Sequence, residues 1–168
     1  NYTIVARGFP SSDLPSKFNG VTIKKNFYDL NGNIFDIANL PLKQGEVLFV
    51  HLFGEDIDKS QLNRRMLVVD LLPAGFEIES VAVGKGVNKE EFSNLLPELS
   101  DSFYQSNNDD RFISFVDFED YKFSQGYIVR AVNPGLYSVP PAYIEDMYQP
   151  SFFARGEVLE TNVVKTQD

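Results

Sequence analysis

The sequence predicts an all-β protein, an antiparallel β-sandwich that carries one short inserted helix. Short apolar or alternating segments recur along all 168 residues, with turn residues between them. Rings are abundant, since the chain has 15 Phe and 8 Tyr but no Trp. Aromatic and β-branched side chains pack well on a pleated sheet, so about nine short strands fit two packed sheets.

The first half of the chain contains both half-buried strands, which alternate apolar and polar residues, and fully buried strands, which are apolar throughout. Residues 2–7 alternate apolar and polar, and residues 21–28 are β-branched and aromatic up to the Asn31-Gly32 pair. Asn-Gly favours a type I′ hairpin turn, because both central residues of that turn need positive φ. Residues 47–53 and 65–72 are continuous apolar runs, which are typical of central strands buried on both faces.

One helix is predicted, at residues 88–96. Asn88 can cap its free backbone N–H groups, and Glu91 completes a capping-box pattern. Three apolar residues follow at i, i+3 and i+4 spacing, and Pro97 then ends the helix. A single short helix among strands is an insertion and does not form a layer of its own.

The remaining strands lie in the second half. Residues 112–117 and 121–132 are predicted strands joined by an acidic hairpin connection, and residues 136–139 follow an Asn-Pro-Gly turn. The last predicted strand covers residues 152–164 and is broken at Gly156, because glycine weakens a strand.

Composition excludes several classes of function. The net charge of −9 argues against nucleic acid and against direct contact with an anionic membrane, since both select for basic patches. No run approaches the roughly 18 apolar residues of a membrane span. The absence of cysteine excludes disulfides and thiolate chemistry. His51 is the single histidine and lies in an apolar run, so we expect a core or interface histidine.

Acidic pairs are the remaining candidates for calcium binding or hydrolysis. The candidates for calcium are Asp56 with Asp58, Asp109 with Asp110, and Glu119 with Asp120. Asp117 joins Glu119 and Asp120 as a candidate for hydrolysis. None has the spacing of an EF-hand, and no acid and base converge in the sequence, so solvated turns are the favoured interpretation. We therefore predict no enzyme, no catalytic residue, no metal and no cofactor.

Residues 139–150 are different in character. Pro140 and Pro141 precede Tyr143 and Ile144, Met147 and Tyr148 follow, and Pro150 ends the segment. The four apolar residues Tyr143, Ile144, Met147 and Tyr148 have the i, i+1, i+4, i+5 spacing of a single helical turn. The segment is either a loop folded back on the sandwich or a rigid loop that presents a thioether and an aromatic ring to a partner. Composition does not choose between these two alternatives.

Several motifs resemble the last domain of bacterial alpha-2-macroglobulins. The run Val69-Asp-Leu-Leu-Pro-Ala-Gly-Phe-Glu-Ile-Glu79 is similar to that domain's signature. The family pattern recurs at 109–111, 127–131, 133–137, 140–143 and 147–150, and the segments 19–23 and 28–32 resemble the domain's start. The resemblance therefore spans nearly the whole chain, and it implies that residues 1–168 are a single C-terminal macroglobulin-like domain, of the MG10 type, from a larger protein.

The resemblance also implies a function. The parent proteins are periplasmic, commonly lipid-anchored, broad-spectrum protease inhibitors that entrap their targets. In thioester-bearing members a Met-Tyr pair of this domain covers a Cys–Gln bond of a separate helical domain until a bait region is cut. The matching residues here are Met147 and Tyr148, with the surrounding prolines and Tyr143 as loop support. The implied partners are the helical thioester domain, the neighbouring macroglobulin domains and, through the parent, target proteases.

Two other functions remain open from the residues alone. An extracytoplasmic adhesion module would bind a ligand through an exposed sheet edge or an aromatic patch. A glycan-active or calcium-dependent domain would use the acidic turns.

Overall fold

The computed structural model describes residues 15–80, 98–108 and 110–166, and in those ranges it contains thirteen strands and no helix. The predicted helix at 88–96 and the predicted first strand at 2–7 lie outside the described residues. The strands are β1 Lys17–Asn19, β2 Lys24–Tyr28, β3 Leu42–Lys43, β4 Val47–Glu55, β5 Arg65–Leu71, β6 Phe76–Ser80, β7 Ser102–Asn108, β8 Arg111–Asp117, β9 Lys122–Ala131, β10 Gly135–Val139, β11 Tyr143–Asp146, β12 Phe153–Arg155 and β13 Leu159–Val164.

These strands form three sheets. A six-stranded sheet has the order β1-β12-β11-β5-β8-β7, and a four-stranded sheet has the order β2-β4-β9-β6. A small third sheet, β10-β13-β3, includes the parallel pairing of β13 with β3. Rings and polar groups meet between the two larger sheets, as where Phe112 of β8 stacks on Tyr127 of β9 at 4.6 Å. The predicted antiparallel sandwich is confirmed.

The two apolar runs behave differently once they are folded. In β4 the five residues 48–52 are all buried, so the prediction of a strand covered on both faces is confirmed. In β5 buried residues alternate with partly exposed ones such as Leu67 and Val69, so the same prediction is wrong there. Only the face of β5 that carries Met66 and Val68 points to the core. The face that carries Leu67 and Val69 lies on the outer side of the six-stranded sheet.

The chain does reverse at Asn31-Gly32, but the type I′ turn predicted there is wrong. Only Gly32 has positive φ, at 81°. The Asp29 carboxylate instead holds the turn, since Oδ1 accepts from the backbone N–H of Asn31 at 2.8 Å and of Asn33 at 2.9 Å. A single bridge between Tyr28 and Ile34 follows in place of a full returning strand. Side-chain capping by Asp29 therefore adds to the backbone bonds of the turn, from Gly32 to the Asp29 carbonyl at 3.1 Å and from Asp29 to the Asn33 carbonyl at 2.9 Å.

The acidic connection between β8 and β9 has positive φ at two consecutive residues. Asp120 and Tyr121 have φ of 47° and 65°, between Glu119 and Lys122, which exchange backbone hydrogen bonds of 2.9 Å each. Two central residues with positive φ are the mark of a type I′ turn. The predicted hairpin connection is confirmed locally, although β8 and β9 continue into different sheets.

The predicted last strand consists of two strands. The break at Gly156 is confirmed, with β12 before it in the six-stranded sheet and β13 after it in the three-stranded sheet. Gly156 donates its backbone N–H to the carbonyl of Ala142 at 2.9 Å. The break therefore moves the chain from one sheet to another.

A buried carboxylate joins the two larger sheets. Asp70 of β5 is fully buried and accepts from Lys25 Nζ of β2 at 2.7 Å and from the Tyr127 hydroxyl of β9 at 2.7 Å. Lys25 Nζ also donates to the carbonyl oxygen of Pro140 at 2.7 Å. Burial raises the pKa of Asp70, while Lys25 and Tyr127 oppose that rise. The Asp of the Asp-Leu-Leu-Pro-Ala-Gly run is thus a link between sheets.

We predict that Lys25→Met lowers the free energy of unfolding of the 168-residue chain by about 3–5 kcal/mol, because it leaves a buried charge without its cation. Urea denaturation at neutral pH measures this loss. The matched control is Glu79→Gln, which breaks the half-exposed Arg130–Glu79 pair and should cost less than about 1 kcal/mol. Equal losses in the two variants would contradict the linking role of Lys25.

Candidate functional site

Met147 and Tyr148 lie in a tight turn between the antiparallel strands β11 and β12. Asp146 donates its backbone N–H to the carbonyl of Phe152 at 3.0 Å, and Phe152 donates to Gln149 at 2.8 Å. The single helical turn expected for residues 143–148 is wrong, because residues 143–146 form strand β11. Strand pairing with β5 and β12 on both sides of β11 outweighs the local helical spacing.

The strand geometry separates the four apolar residues of this segment. Ile144 is fully buried in the core, and Tyr143 lies half-buried on the opposite face of the sheet. Met147 is 43% exposed and Tyr148 is 78% exposed. The segment therefore divides into an anchored strand and an exposed apolar tip, so features of both sequence-based alternatives are present.

The Asp146 carboxylate shapes the tip. Its Oδ1 accepts from the backbone N–H groups of Tyr148 at 2.8 Å and Gln149 at 2.9 Å. Met147 donates its own backbone N–H to the carbonyl of Arg65 at 3.0 Å. Three consecutive amides are thereby satisfied, and the backbone under both exposed side chains is fixed by the protein itself.

Arg64 binds the other oxygen of that carboxylate. Its Nη1 lies 2.7 Å from Asp146 Oδ2, and its Nε lies 3.4 Å from Asp56 Oδ2. Its Nη2 donates to Ser60 Oγ at 3.1 Å. The guanidinium carbon lies 3.7 Å from the centre of the Phe152 ring, and the side chain is only 7% exposed. A planar guanidinium suits this position, because it donates in several directions while it stacks on a ring.

Arg65 lies next to the exposed ring. Its guanidinium pairs with Asp117 at 3.0 Å and lies 4.4 Å from the centre of the Phe103 ring. The pKa of Arg65 is raised chiefly by the hydrogen bond and charge of Asp117, with a smaller contribution from Tyr148. The Tyr148 side chain is thus close to a cation that is itself held in place.

The predicted supporting residues divide between the two ends of β11. Pro150 is exposed in the turn with Met147 and Tyr148, whereas Pro140 and Pro141 are half-buried before the strand. The Pro140 carbonyl is tied to Lys25. Tyr143 donates its hydroxyl proton to Glu145 Oε2 at 2.8 Å, and burial, with that contact, raises the pKa of Tyr143 to about 12.

Sequence reasoning missed Arg64 and Asp146. Arg64 stands before an apolar strand, where a cation usually marks exposure, and 82 residues separate it from Asp146. No spacing rule connects two such positions. The one available signal was an acidic residue immediately before Met147 in a segment already singled out.

The residues of the predicted acidic pairs have separate structural roles. Asp56 is buried and accepts from the backbone N–H groups of Asp58 at 3.1 Å and Ser60 at 3.3 Å. Asp110 pairs with Arg111, and Asp109 lies outside the described residues. Among the residues that the structure describes, no group of three or more His, Asp or Glu is placed to hold a metal ion, and no helix could span a membrane.

His51 is buried on the face of β4 that points away from the sandwich core. Its Nε2 lies 2.8 Å from Ser124 Oγ, and its ring stacks on Phe53 with centroids 4.6 Å apart. Nδ1 is buried without a hydrogen-bond partner within the described ranges. Burial lowers the pKa of His51 to about 4, so the ring is neutral at physiological pH. His51 is therefore buried, as expected of a core or interface histidine, but only one of its two nitrogens is hydrogen-bonded.

Comparison with known proteins gives a consistent result. The family model described as the bacterial alpha-2-macroglobulin MG10 domain matches residues 20–151. The alpha-2-macroglobulin of Escherichia coli K12 is 31% identical over 169 residues, which cover 95% of this chain and 10% of that protein. That of Xylella fastidiosa 9a5c is 29% identical over 171 residues, with the same coverages. The chain thus spans about one tenth of the length of the curated relatives it matches.

Solved structures agree with the family match. Native E. coli alpha-2-macroglobulin from domain MG7 to the C-terminus superposes with a TM-score of 0.75 at 28% identity, covering 93% of this chain and 25% of that chain. Salmonella alpha-2-macroglobulin reacted with methylamine superposes with a TM-score of 0.75 at 29% identity, covering 94% of this chain and 10% of that chain.

We predict that His51 makes the 168-residue chain less stable in mild acid. Because the folded pKa of about 4 lies below the ordinary value of 6.5, the unfolded chain binds the proton first. The free energy of unfolding is then lost as the pH falls from 6.5 to 4, by up to about 3 kcal/mol from this group. Urea denaturation at several pH values measures it, with His51→Phe as the comparison that keeps a ring beside Phe53. Parallel pH profiles for the two proteins would contradict the assignment.

Proposed function

The chain belongs to the bacterial alpha-2-macroglobulin MG10 domain family, and on that premise we propose that its Met147–Tyr148 turn covers a reactive thioester on another domain of its parent protein. The observation that carries the proposal is the pairing of an exposed apolar tip with a backbone fixed by buried charge. The family match covers residues 20–151 and so includes the whole turn.

The chemistry of the two side chains suits a cover. A thioester survives in water only if water and amines are kept from its carbonyl carbon, and a dry apolar contact does this. Met147 supplies a flexible, polarizable thioether that adapts to an irregular surface. Tyr148 supplies a large ring with one polar end, and its 78% exposure leaves nearly all of that ring free to be buried by a partner.

The rigidity of the turn supports the same role. A contact that must exclude water loses affinity if the loop has to be ordered on binding. Here Asp146 and the Arg65 carbonyl hold the three amides of residues 147–149 in the isolated domain. Little backbone order therefore remains to be gained at the interface.

The relatives supply the setting for this proposal. One E. coli structure extends from domain MG7 to the C-terminus, so the matching domain of that protein has other domains in the same chain. The Salmonella relative has a crystal structure of the protein reacted with methylamine. A small amine is the kind of nucleophile that an uncovered thioester admits.

The proposed role is non-enzymatic. As the family resemblance implies, the parent would be an extracytoplasmic, periplasmic protease inhibitor, commonly lipid-anchored, that entraps its targets. This domain would contact the helical thioester domain and neighbouring macroglobulin domains, and cleavage of a bait region elsewhere would displace it. The domain then helps to hold the latent state until a protease is present.

We predict that a Met147→Gly, Tyr148→Gly double variant of the intact parent releases thiol with methylamine faster than wild type, by on the order of tenfold for each 1.4 kcal/mol of lost shielding. The measurement is thiol release without protease. This chain has no cysteine, so any thiol released comes from another part of the parent.

The matched control is Leu136→Ala, which removes an 82% exposed apolar side chain from β10. That variant should react at the wild-type rate. Equal rates in the double variant and in wild type would contradict the shielding role.

A further inference from the structure

We infer that Arg64 is a positioning residue for the Met147–Tyr148 turn, which it holds in its covering shape by binding Asp146. The effect of Arg64 on shielding rests on the proposed function, whereas its effect on the shape of the turn rests only on contacts within this chain. Arg64 makes no hydrogen bond to Met147 or Tyr148. Its short contact is with the Asp146 carboxylate at 2.7 Å, beside a longer one of 3.5 Å from Nη1 to the Gln149 side-chain oxygen, so it acts on the turn chiefly through the carboxylate.

Asp146 divides its two oxygens between two tasks. Oδ1 accepts both turn amides, those of Tyr148 and Gln149, and Oδ2 accepts Arg64 Nη1 at 2.7 Å. With its side chain only 6% exposed, this carboxylate has little access to water. Rotation of the carboxylate toward solvent is therefore opposed by the guanidinium, and the amides that Oδ1 holds stay fixed.

The guanidinium is in turn fixed from several sides. Asp56 accepts from Nε, Ser60 Oγ accepts from Nη2, and the Phe152 ring stacks on the guanidinium plane. Phe152 also closes the turn through its backbone bonds to Asp146 and Gln149. Phe152 thus contributes its backbone to the turn and its side-chain ring to the site of the arginine that holds the turn.

Asp56 ties this arrangement to the body of the domain. Its backbone N–H donates to the Tyr121 carbonyl at 2.9 Å, and the following residue, Ile57, donates to the Gly20 carbonyl at 2.9 Å. Asp56 and Arg64 therefore connect the turn to the β8–β9 connection and to the end of β1. A loop joined only to β11 and β12 would lack this support.

The experiment is hydrogen–deuterium exchange of the intact parent carrying Arg64→Lys. Lysine keeps a positive charge between the two carboxylates, but it cannot donate in several fixed directions or stack flat on Phe152. We expect the amides of Tyr148 and Gln149 to exchange about tenfold faster or more, since a charge-assisted hydrogen bond contributes more than that factor requires. Arg64→Gln, which removes the charge, should speed exchange further.

The matched control is Val163→Ala, which removes core volume from β13 and leaves Arg64 and Asp146 untouched. It should lower the melting temperature without changing exchange at the turn relative to the rest of the domain. Unchanged turn exchange in both Arg64 variants, or an equal change in Val163→Ala, would overturn the positioning role.

Methylamine reactivity separates this inference from the proposed function. Arg64→Lys should speed thiol release in the wild-type background and have no further effect in the Met147→Gly, Tyr148→Gly background. Faster release by Arg64→Lys in both backgrounds to the same extent would overturn action through the turn. If turn exchange rises as expected while even the double glycine variant reacts at the wild-type rate, the positioning role holds and the shielding role fails.

Discussion

The Asp70 carboxylate lies between the two large sheets and accepts hydrogen bonds from Lys25 of β2 and Tyr127 of β9, so it fixes three strands relative to one another. A buried charge that loses its partner is costly, and this makes the arrangement of those strands specific. Lys25 extends the constraint through the Pro140 carbonyl to the chain just before β11. The short strand that carries the Met147–Tyr148 turn is therefore held at its start by the same charge pair that joins the sheets.

A second buried charge holds the other end of β11. Arg64 binds Asp146 at the last residue of the strand, and Ile144 lies fully buried between the two fixed ends. The exposed Met147 and Tyr148 follow directly, on amides that Asp146 and the Arg65 carbonyl satisfy. The rigidity of the tip thus comes from charge buried on either side of a four-residue strand, with the flanking prolines as a local contribution.

The sequence predicted the strands that hydrophobic pattern alone determines, such as β4 and β9, and it marked the strand break at Gly156. It failed where other contacts compete with pattern. A turn capped by Asp29, with positive φ only at Gly32, stands where a type I′ turn was expected. Pairing with β5 makes residues 143–146 a strand despite the helical spacing of residues 143–148. The inward-facing position of Asp70 was not predicted, because residues 66–69 are apolar at every position and the alternation of burial appears only in the folded strand. The pairing of Arg64 with Asp146 was not readable, because only the folded topology brings residues so distant in sequence together.

The most direct test of the account is photo-crosslinking from position 148 of the intact parent, in which Tyr148 is replaced by a photoreactive phenylalanine derivative. The account predicts a crosslink to the helical thioester domain in the latent protein and its loss after bait cleavage. The same probe at Leu136, an 82% exposed position on β10, should not give that crosslink. The account would be contradicted if position 148 crosslinked to the thioester domain no more than position 136 does, or if cleavage left the crosslink unchanged.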